Sequence, residues 1–326
     1  MPTDPRGLRS DAPLLDAWLR FQEQAPTPFT IPGHKQRHDL VGDVVAGDVP
    51  LYAGLDTMKL SRGVLADAEA RAARLWGADR CRFSVGGATH ANQALALALA
   101  DATTDSDRTV VVSRTLHRSM LLGLVLAGLT PVWVRPEVDV STGLPLGVAP
   151  ETVVDALSRY PDACAVLVGD PSYVGTVGDV AALADAAHAH DLPLIVDAAW
   201  AAHFGFHPGL PRHALQLGAD AMVISAHKTL PAWSQAALVL TRGDRIDPAR
   251  LDAGVEATHT TSPAGAILAS IDAARALLER DGETLLAEVL SAVRAAREQL
   301  GQIEGLTVLD GPHVDPLKLT LVLPGT

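Results

Sequence analysis

The sequence predicts an α/β protein, a mostly parallel sheet with helices on both faces. Three observations predict it. From about residue 64, Ala/Leu-rich stretches with helical spacing alternate with short runs of Val, Ile and Leu. Those short runs are continuously apolar rather than alternating, which marks strands covered on both sides. The totals also suit a large core, with 48% of the 326 residues apolar and 20% charged.

The first 60 residues, which include "APTPFTIPGHKQRHD", are Pro-rich and irregular. They read as a segment that packs onto the main domain or onto a partner subunit. "ADAEARAARLWGA" (66–78) then reads as helix, "CRFSV" (81–85) as strand and "THANQALALALAD" (89–101) as helix. "TVVVS" (109–113) is a strand, "SMLLGLVLAG" (119–128) a helix and "PVWV" (131–134) a strand. "PETVVDALSRY" (150–160) and "DVAALADAAHAH" (179–190) are helical and flank the strand "CAVLVGDP" (164–171). "PLIVDAAW" (193–200), "AMVISAH" (221–227) and "QAALVL" (235–240) complete a set of seven strands. Helices alternating with buried strands indicate parallel pairing.

The end differs. "SPAGAILASIDAARALLER" (262–280) and "ETLLAEVLSAVRAAREQL" (283–300) read as two long helices. In the second, Leu286, Val289, Leu290, Val293 and Leu300 share a face. "LTVLDG" and "LKLTLVLP" then read as strands of a new unit, and a lone pair of strands is not a stable domain. The expected organisation is an N-terminal arm over 1–55, a large domain over 56–310 and the start of a C-terminal domain over 311–326.

A net charge of -12 argues against nucleic acid and anionic membranes as partners. The first residues lack a signal-peptide core, and no apolar run is long enough to span a bilayer. Cys81 and Cys164 lie in apolar segments without CxxC spacing and read as buried, reduced thiols. The expected location is the cytoplasm. The histidines show no HExxH spacing, so no metal site is expected.

In open parallel sheets, ligands bind beyond the carboxyl ends of the strands, and the polar residues that follow each strand are the candidates. "GGATH" places Gly86, Gly87, Ala88 and Thr89 at a helix start, where backbone N–H groups and a hydroxyl suit an anion or simply form a turn. It is neither GxGxxG nor GxxxxGK[ST]. His117 follows the next strand, and "DPSYVG" follows the strand over 164–171. Asp197 ends "PLIV", and a carboxylate there must be paired, hydrated or bound. Ser225, His227 and Lys228 follow "AMVI". An anion cup, an acid, a histidine and a lysine at one sheet edge suit pyridoxal 5'-phosphate. Its phosphate needs donors, its aldehyde needs an amine for a Schiff base, and its ring nitrogen needs a carboxylate to stay protonated.

"SAHK" at Ser225–Lys228 resembles the pyridoxal-lysine motif of the Orn/Lys/Arg decarboxylase family, within the fold type I (aspartate aminotransferase-like) enzymes. "FTIPGHK" (29–35), "FSVGGATHANQ" (83–93), "LHRS" (116–119), "DPSYVG" (170–175), "VDAAWAAHFGFHP" (196–208) and "TTSP" (260–263) are similar to family segments in the same order. The resemblance implies that Lys228 carries the Schiff base, Asp197 pairs with the ring nitrogen and His117 stacks on the ring. It implies phosphate contacts from Gly87, Ala88, Thr89, Ser225 and His227, and a contact from Trp200 to the ring hydroxyl. "TTSP" is implied to lie near the partner subunit's phosphate. "DAAW" stands where many relatives have "DEAH", and "GGAT" replaces a Gly-Thr-Ser-type loop, which removes a hydroxyl at Ala88. The implied reaction is decarboxylation of lysine, arginine or ornithine in a homodimer or higher homo-oligomer. Cofactor residues alone leave aminotransferase, retro-aldol lyase and a truncated non-catalytic binder open. Glu256, Asp56 or a partner residue is the expected reader of the substrate's head group.

Overall fold

The computed structural model describes residues 3–24, 29, 31–49, 55, 62–100 and 108–323. Its centre is a seven-stranded sheet of β1 (Arg80–Ser84), β2 (Arg108–Ser113), β3 (Leu129–Val134), β4 (Ala163–Gly169), β5 (Leu194–Asp197), β6 (Ala221–Ile224) and β7 (Ala237–Thr241), in the order β1-β7-β6-β5-β4-β2-β3. Only β7 runs against its neighbours, pairing antiparallel with both β1 and β6. The other six strands therefore point one way, and their carboxyl ends share an edge.

Alternation along the strands explains why both faces are apolar. Val110 and Val112 of β2 pack with Ala165 and Leu167 of β4, Ile195 of β5 and Val223 of β6. They face helices Gly87–Leu99, Arg118–Ala127 and Pro248–Thr258, which present Leu95, Leu124 and Leu251. Val111, Val166, Val168, Val196 and Met222 project to the other side. There they meet Ala68 and Ala72 of Val64–Leu75, Leu157 of Pro150–Arg159, Leu183 of Val180–His188, and Leu268 and Ile271 of Gly265–Leu300. Each core strand thus feeds two layers, the packing its unbroken apolar run anticipates.

Several expectations need correction. The two terminal helices are one helix, Gly265–Leu300, 36 residues long. Gly282, where the sequence reads as a stop, is buried with Leu278 against it, so packing overrides a weak local propensity. Strand β6 ends at Ile224 and a helical turn, Ala226–Thr229, carries the "AHK" residues. Strand β5 ends at Asp197, not Trp200. The N-terminal region is not wholly irregular, because Pro13–Gln24 is a helix. The helix Pro248–Thr258 was not expected, although Asp247 caps it by accepting from the Ala249 and Arg250 amides and Pro248 opens it. Cys81 is buried, Cys164 is only partly so, and both are free thiols.

After the long helix, Thr307–Val308 and Leu321–Val322 pair antiparallel as two very short strands. Between them the chain returns to the sheet edge. The Val177 amide donates to the His313 carbonyl at 2.9 Å, and the Asp315 amide to the Gly175 carbonyl at 2.8 Å. Among the described residues, no helix is long and apolar enough to cross a membrane.

Candidate active site

The site forms where β5 and β6 end side by side. Asp197 pairs in register with Val223, and the turn bearing Ser225, His227 and Lys228 begins two residues further on. Strand β1 delivers Gly86–Thr89 to the same edge, locked there by the Gly87 amide donating to the Gln235 carbonyl at 2.8 Å. Gly87 sits at φ +69°, a left-handed conformation that favours glycine. The loop after β2 supplies His117 and the loop after β4 supplies Tyr173. Asp56 lies outside the described residues, and Glu256 is exposed on its helix.

Asp197 is the electrostatic focus. It is buried, and burial pushes its carboxyl upward against an Asn92 hydrogen bond, the charges of Lys228 and His117, and the Ala199 amide. Its Oδ2 accepts from Asn92 Nδ2 at 2.8 Å and its Oδ1 from the Ala199 amide at 3.3 Å. Among the described residues no cation forms an ion pair with it. A buried carboxylate served only by amides is under-compensated.

Asn92 was not singled out in the sequence, yet it links three of these groups. It is fully buried in an otherwise Ala/Leu helix. The same Nδ2 also donates to Ser119 Oγ at 3.0 Å. Ser119 Oγ lies 2.8 Å from His117 Nδ1, and the Ser119 amide also donates to that nitrogen at 3.2 Å. Nδ1 is therefore an acceptor, and the proton of a neutral His117 is on Nε2. The chain Asp197–Asn92–Ser119–His117 fixes the acid and the histidine relative to each other.

Lys228 is half-buried and its Nζ lies 4.4 Å from the centroid of the Trp200 ring. Burial lowers its amine below the ordinary lysine range, opposed by the Asp197 charge. Tyr173 meets Trp200 edge-on at 5.6 Å. His227 Nδ1 donates to the Ala236 carbonyl at 2.8 Å, which leaves Nε2 as its second ring atom for a ligand.

Donors without partners mark the cup. Ser225 Oγ and Thr229 Oγ1 are buried and have no hydrogen-bond partner among the described residues. The Ala88 and Thr89 amides at the open helix start have no protein acceptor among the described residues. A second unexpected pair stands beside them: the His90 and His259 rings meet edge-on at 5.9 Å, with His90 Nδ1 and His259 Nε2 both buried and without a hydrogen-bond partner among the described residues. "TTSP" follows His259 as an exposed turn. Orphan donors, a cation-less carboxylate and a deprotonation-prone amine fit a phosphorylated pyridine aldehyde. No group of three or more potential metal ligands occurs among the described residues.

The profile of the Orn/Lys/Arg decarboxylase major domain matches residues 12–326. The chain belongs to this family. It is 31% identical over 304 residues to an arginine decarboxylase of Bacillus subtilis (strain 168), covering 91% of this chain and 61% of that protein. It is 27% identical over 263 residues to the lysine decarboxylase LdcA of Pseudomonas aeruginosa, covering 74% of this chain and 34% of that one. The solved structure of lysine decarboxylase A from Pseudomonas aeruginosa superposes with a TM-score of 0.81 at 22% identity, over 96% of this chain and 52% of that chain. This Orn/Lys/Arg decarboxylase domain therefore has the fold type I architecture and spans about three fifths of the length of the arginine decarboxylases it matches.

Proposed function

We propose that the protein is a pyridoxal-phosphate-dependent decarboxylase that converts a basic amino acid, arginine, lysine or ornithine, into its amine and carbon dioxide. One observation carries the reading: the turn after β6 brings the Lys228 amine to the edge where Asp197 ends the adjacent parallel strand β5, and burial shifts each toward its neutral form against the other's charge. Bound there, pyridoxal phosphate supplies an electrophilic aldehyde and an electron-accepting ring.

The protein's own groups do the rest. Lys228 is half-buried against Trp200, and burial lowers its proton affinity, which eases release of the free, nucleophilic amine. Asp197, oriented by Asn92, would hold a protonated ring nitrogen, whose charge would compensate the buried carboxylate. Ala88 and Thr89 offer helix-start amides to the phosphate, with Gly87 shaping the turn and Ser225 and His227 adding side-chain donors. His117, fixed through Ser119, would stack on the ring. Trp200, with the Lys228 amine 4.4 Å from its ring centroid, would contact the ring hydroxyl.

Arginine is the first substrate to test, because several relatives at about 30% identity are arginine decarboxylases. The purified, cofactor-loaded protein is incubated with arginine, lysine and ornithine, and products are identified. Amine with stoichiometric carbon dioxide is expected. A keto acid, or an aldehyde with glycine, contradicts the reading.

A further inference from the structure

The chain has four lysines, at positions 35, 59, 228 and 318. Two of them meet at one indole. Lys318 Nζ lies 3.6 Å from the Trp200 ring centroid and 5.3 Å from that of Tyr173, while Lys228 Nζ lies 4.4 Å from the same Trp200 centroid.

Lys318 reaches this place by a built route. Asp315 is buried and pairs with buried His203 at 3.2 Å. Arg297 donates to the carbonyls of Asp315 at 3.1 Å and Lys318 at 2.7 Å, and Thr320 Oγ1 donates to the Val174 carbonyl at 2.8 Å. The lysine stem passes over Gly175, where a Cβ would stand 2.6 Å from Lys318 Cγ. Gly175, at φ +91°, thus leaves room for the stem as well as making the turn.

The ammonium arrives unpaired. Among the described residues no carboxylate forms a hydrogen bond or ion pair with it, and burial and the Lys228 charge both lower its proton affinity against the pull of Asp315. The aromatic faces of Trp200 and Tyr173 compensate it only in part. A half-buried cation with free N–H donors beside a reactive amine is a receptor for an anion.

We propose that Lys318 receives the α-carboxylate of the amino-acid substrate. The assignment rests on the reading above, in which the substrate's α-amine takes the place of the Lys228 amine. The carboxyl carbon is two bonds from that nitrogen, about 2.5 Å away, so the carboxylate must lie close to Lys228 Nζ. A basic amino acid has no other anion, and its cationic side-chain head is repelled by Lys318.

The chemistry fixes how the contact acts. When the bond between Cα and the carboxyl carbon breaks, its electron pair stays with Cα and carbon dioxide leaves uncharged; a proton then takes its place on Cα. The carboxylate charge that Lys318 holds is lost on the way to the transition state. Its contact is therefore stronger in the ground state, so it serves affinity rather than rate.

The test compares Lys318→Met and Lys318→Arg with the wild type, all loaded with pyridoxal phosphate. Lys318→Met raises KM for the amino acid about 10- to 100-fold, the strength of a charged hydrogen bond. Its kcat is no lower than wild type, and inhibition by the product amine, which has no carboxylate, changes less than about twofold. Lys318→Arg recovers most of the affinity. Independently of any substitution, acetylation of Lys318 in the loaded wild type, read by mass spectrometry, is slowed by the amino acid and not by the amine. Equal weakening of amino acid and amine in Lys318→Met, an unchanged KM, or undiminished acetylation with the amino acid bound overturns the assignment while leaving the decarboxylase reading intact. A loaded wild type that converts none of the three amino acids and whose Lys318 acetylation none of them slows overturns both.

Discussion

Two buried aspartates in this molecule have opposite surroundings. Asp272, on the long helix, pairs with Arg275 at 2.6 Å and accepts from the Leu14 amide at 2.8 Å. Arg275 in turn reaches Glu279 at 2.6 Å and the Asp11 carbonyl at 2.5 Å, which ties the N-terminal helix to the core. Asp197 is equally deep but has, among the described residues, one side-chain amide, one long backbone contact and no ion pair. Burial pushes both carboxyls upward, yet of the two only Asp272 forms an ion pair among the described residues. The difference teaches how to tell a structural acid from a binding one: the structural acid is complete, and the binding acid lacks the partner its ligand brings.

The comparison predicts separable outcomes. Asp272→Ala strands a buried Arg275 and costs about 3–5 kcal/mol of stability, read as a lower urea midpoint, with turnover per folded molecule preserved. Asp170 offers an intermediate case, a buried acid that accepts from the Gly178 amide at 2.6 Å and whose carboxyl is raised by burial from 3.8 to about 7. The folded protein holds that proton between the two values and the unfolded chain does not. This contribution to stability is therefore present below about pH 4 and lost as pH rises to about 7, by up to about 4 kcal/mol. Asp170→Asn keeps the Gly178 contact, so its urea midpoint exceeds wild type at pH 8 and converges with it at pH 4.

Asp197→Ala reverses the Asp272 pattern. It leaves the apoprotein stable to within about 1 kcal/mol, retains some cofactor and lowers turnover about 10²- to 10³-fold. Turnover near wild type would remove Asp197 from the ring nitrogen. Asn92→Ala gives the smallest effect. It deprives Asp197 of the hydrogen bond that holds its pKa down, so the acid limb of cofactor binding moves to higher pH and turnover falls about tenfold. An unmoved acid limb would show that Asn92 only fills space.

The fold was legible because strands buried on both sides have one signature, an unbroken apolar run, which β4, β5, β6 and β7 carry over most of their length, while the edge strand β1, RCRFS, does not. Asp197 was legible because a charged residue directly after such a run is difficult to explain as core, and Lys228 because it follows the next run within one short turn. Asn92 was not, since a buried amide inside a helix depends on a neighbour 105 positions away that local spacing does not reveal. Lys318 lies in a stretch that reads as strand, and only the return of the chain over Gly175 brings it to Trp200. The continuity of Gly265–Leu300 was hidden by "ERDG", where the residues favour a stop and the packing of Leu278 and Leu286 favours continuation.

The central claim is that one pyridoxal phosphate is held between Lys228 and Asp197. The most direct test loads the purified protein with pyridoxal phosphate, reduces it with borohydride and maps the modified peptide. The account predicts a single phosphopyridoxyl adduct on Lys228, absent from Lys228→Ala. An adduct on Lys35, Lys59 or Lys318 in the wild type, or none at all, would contradict it.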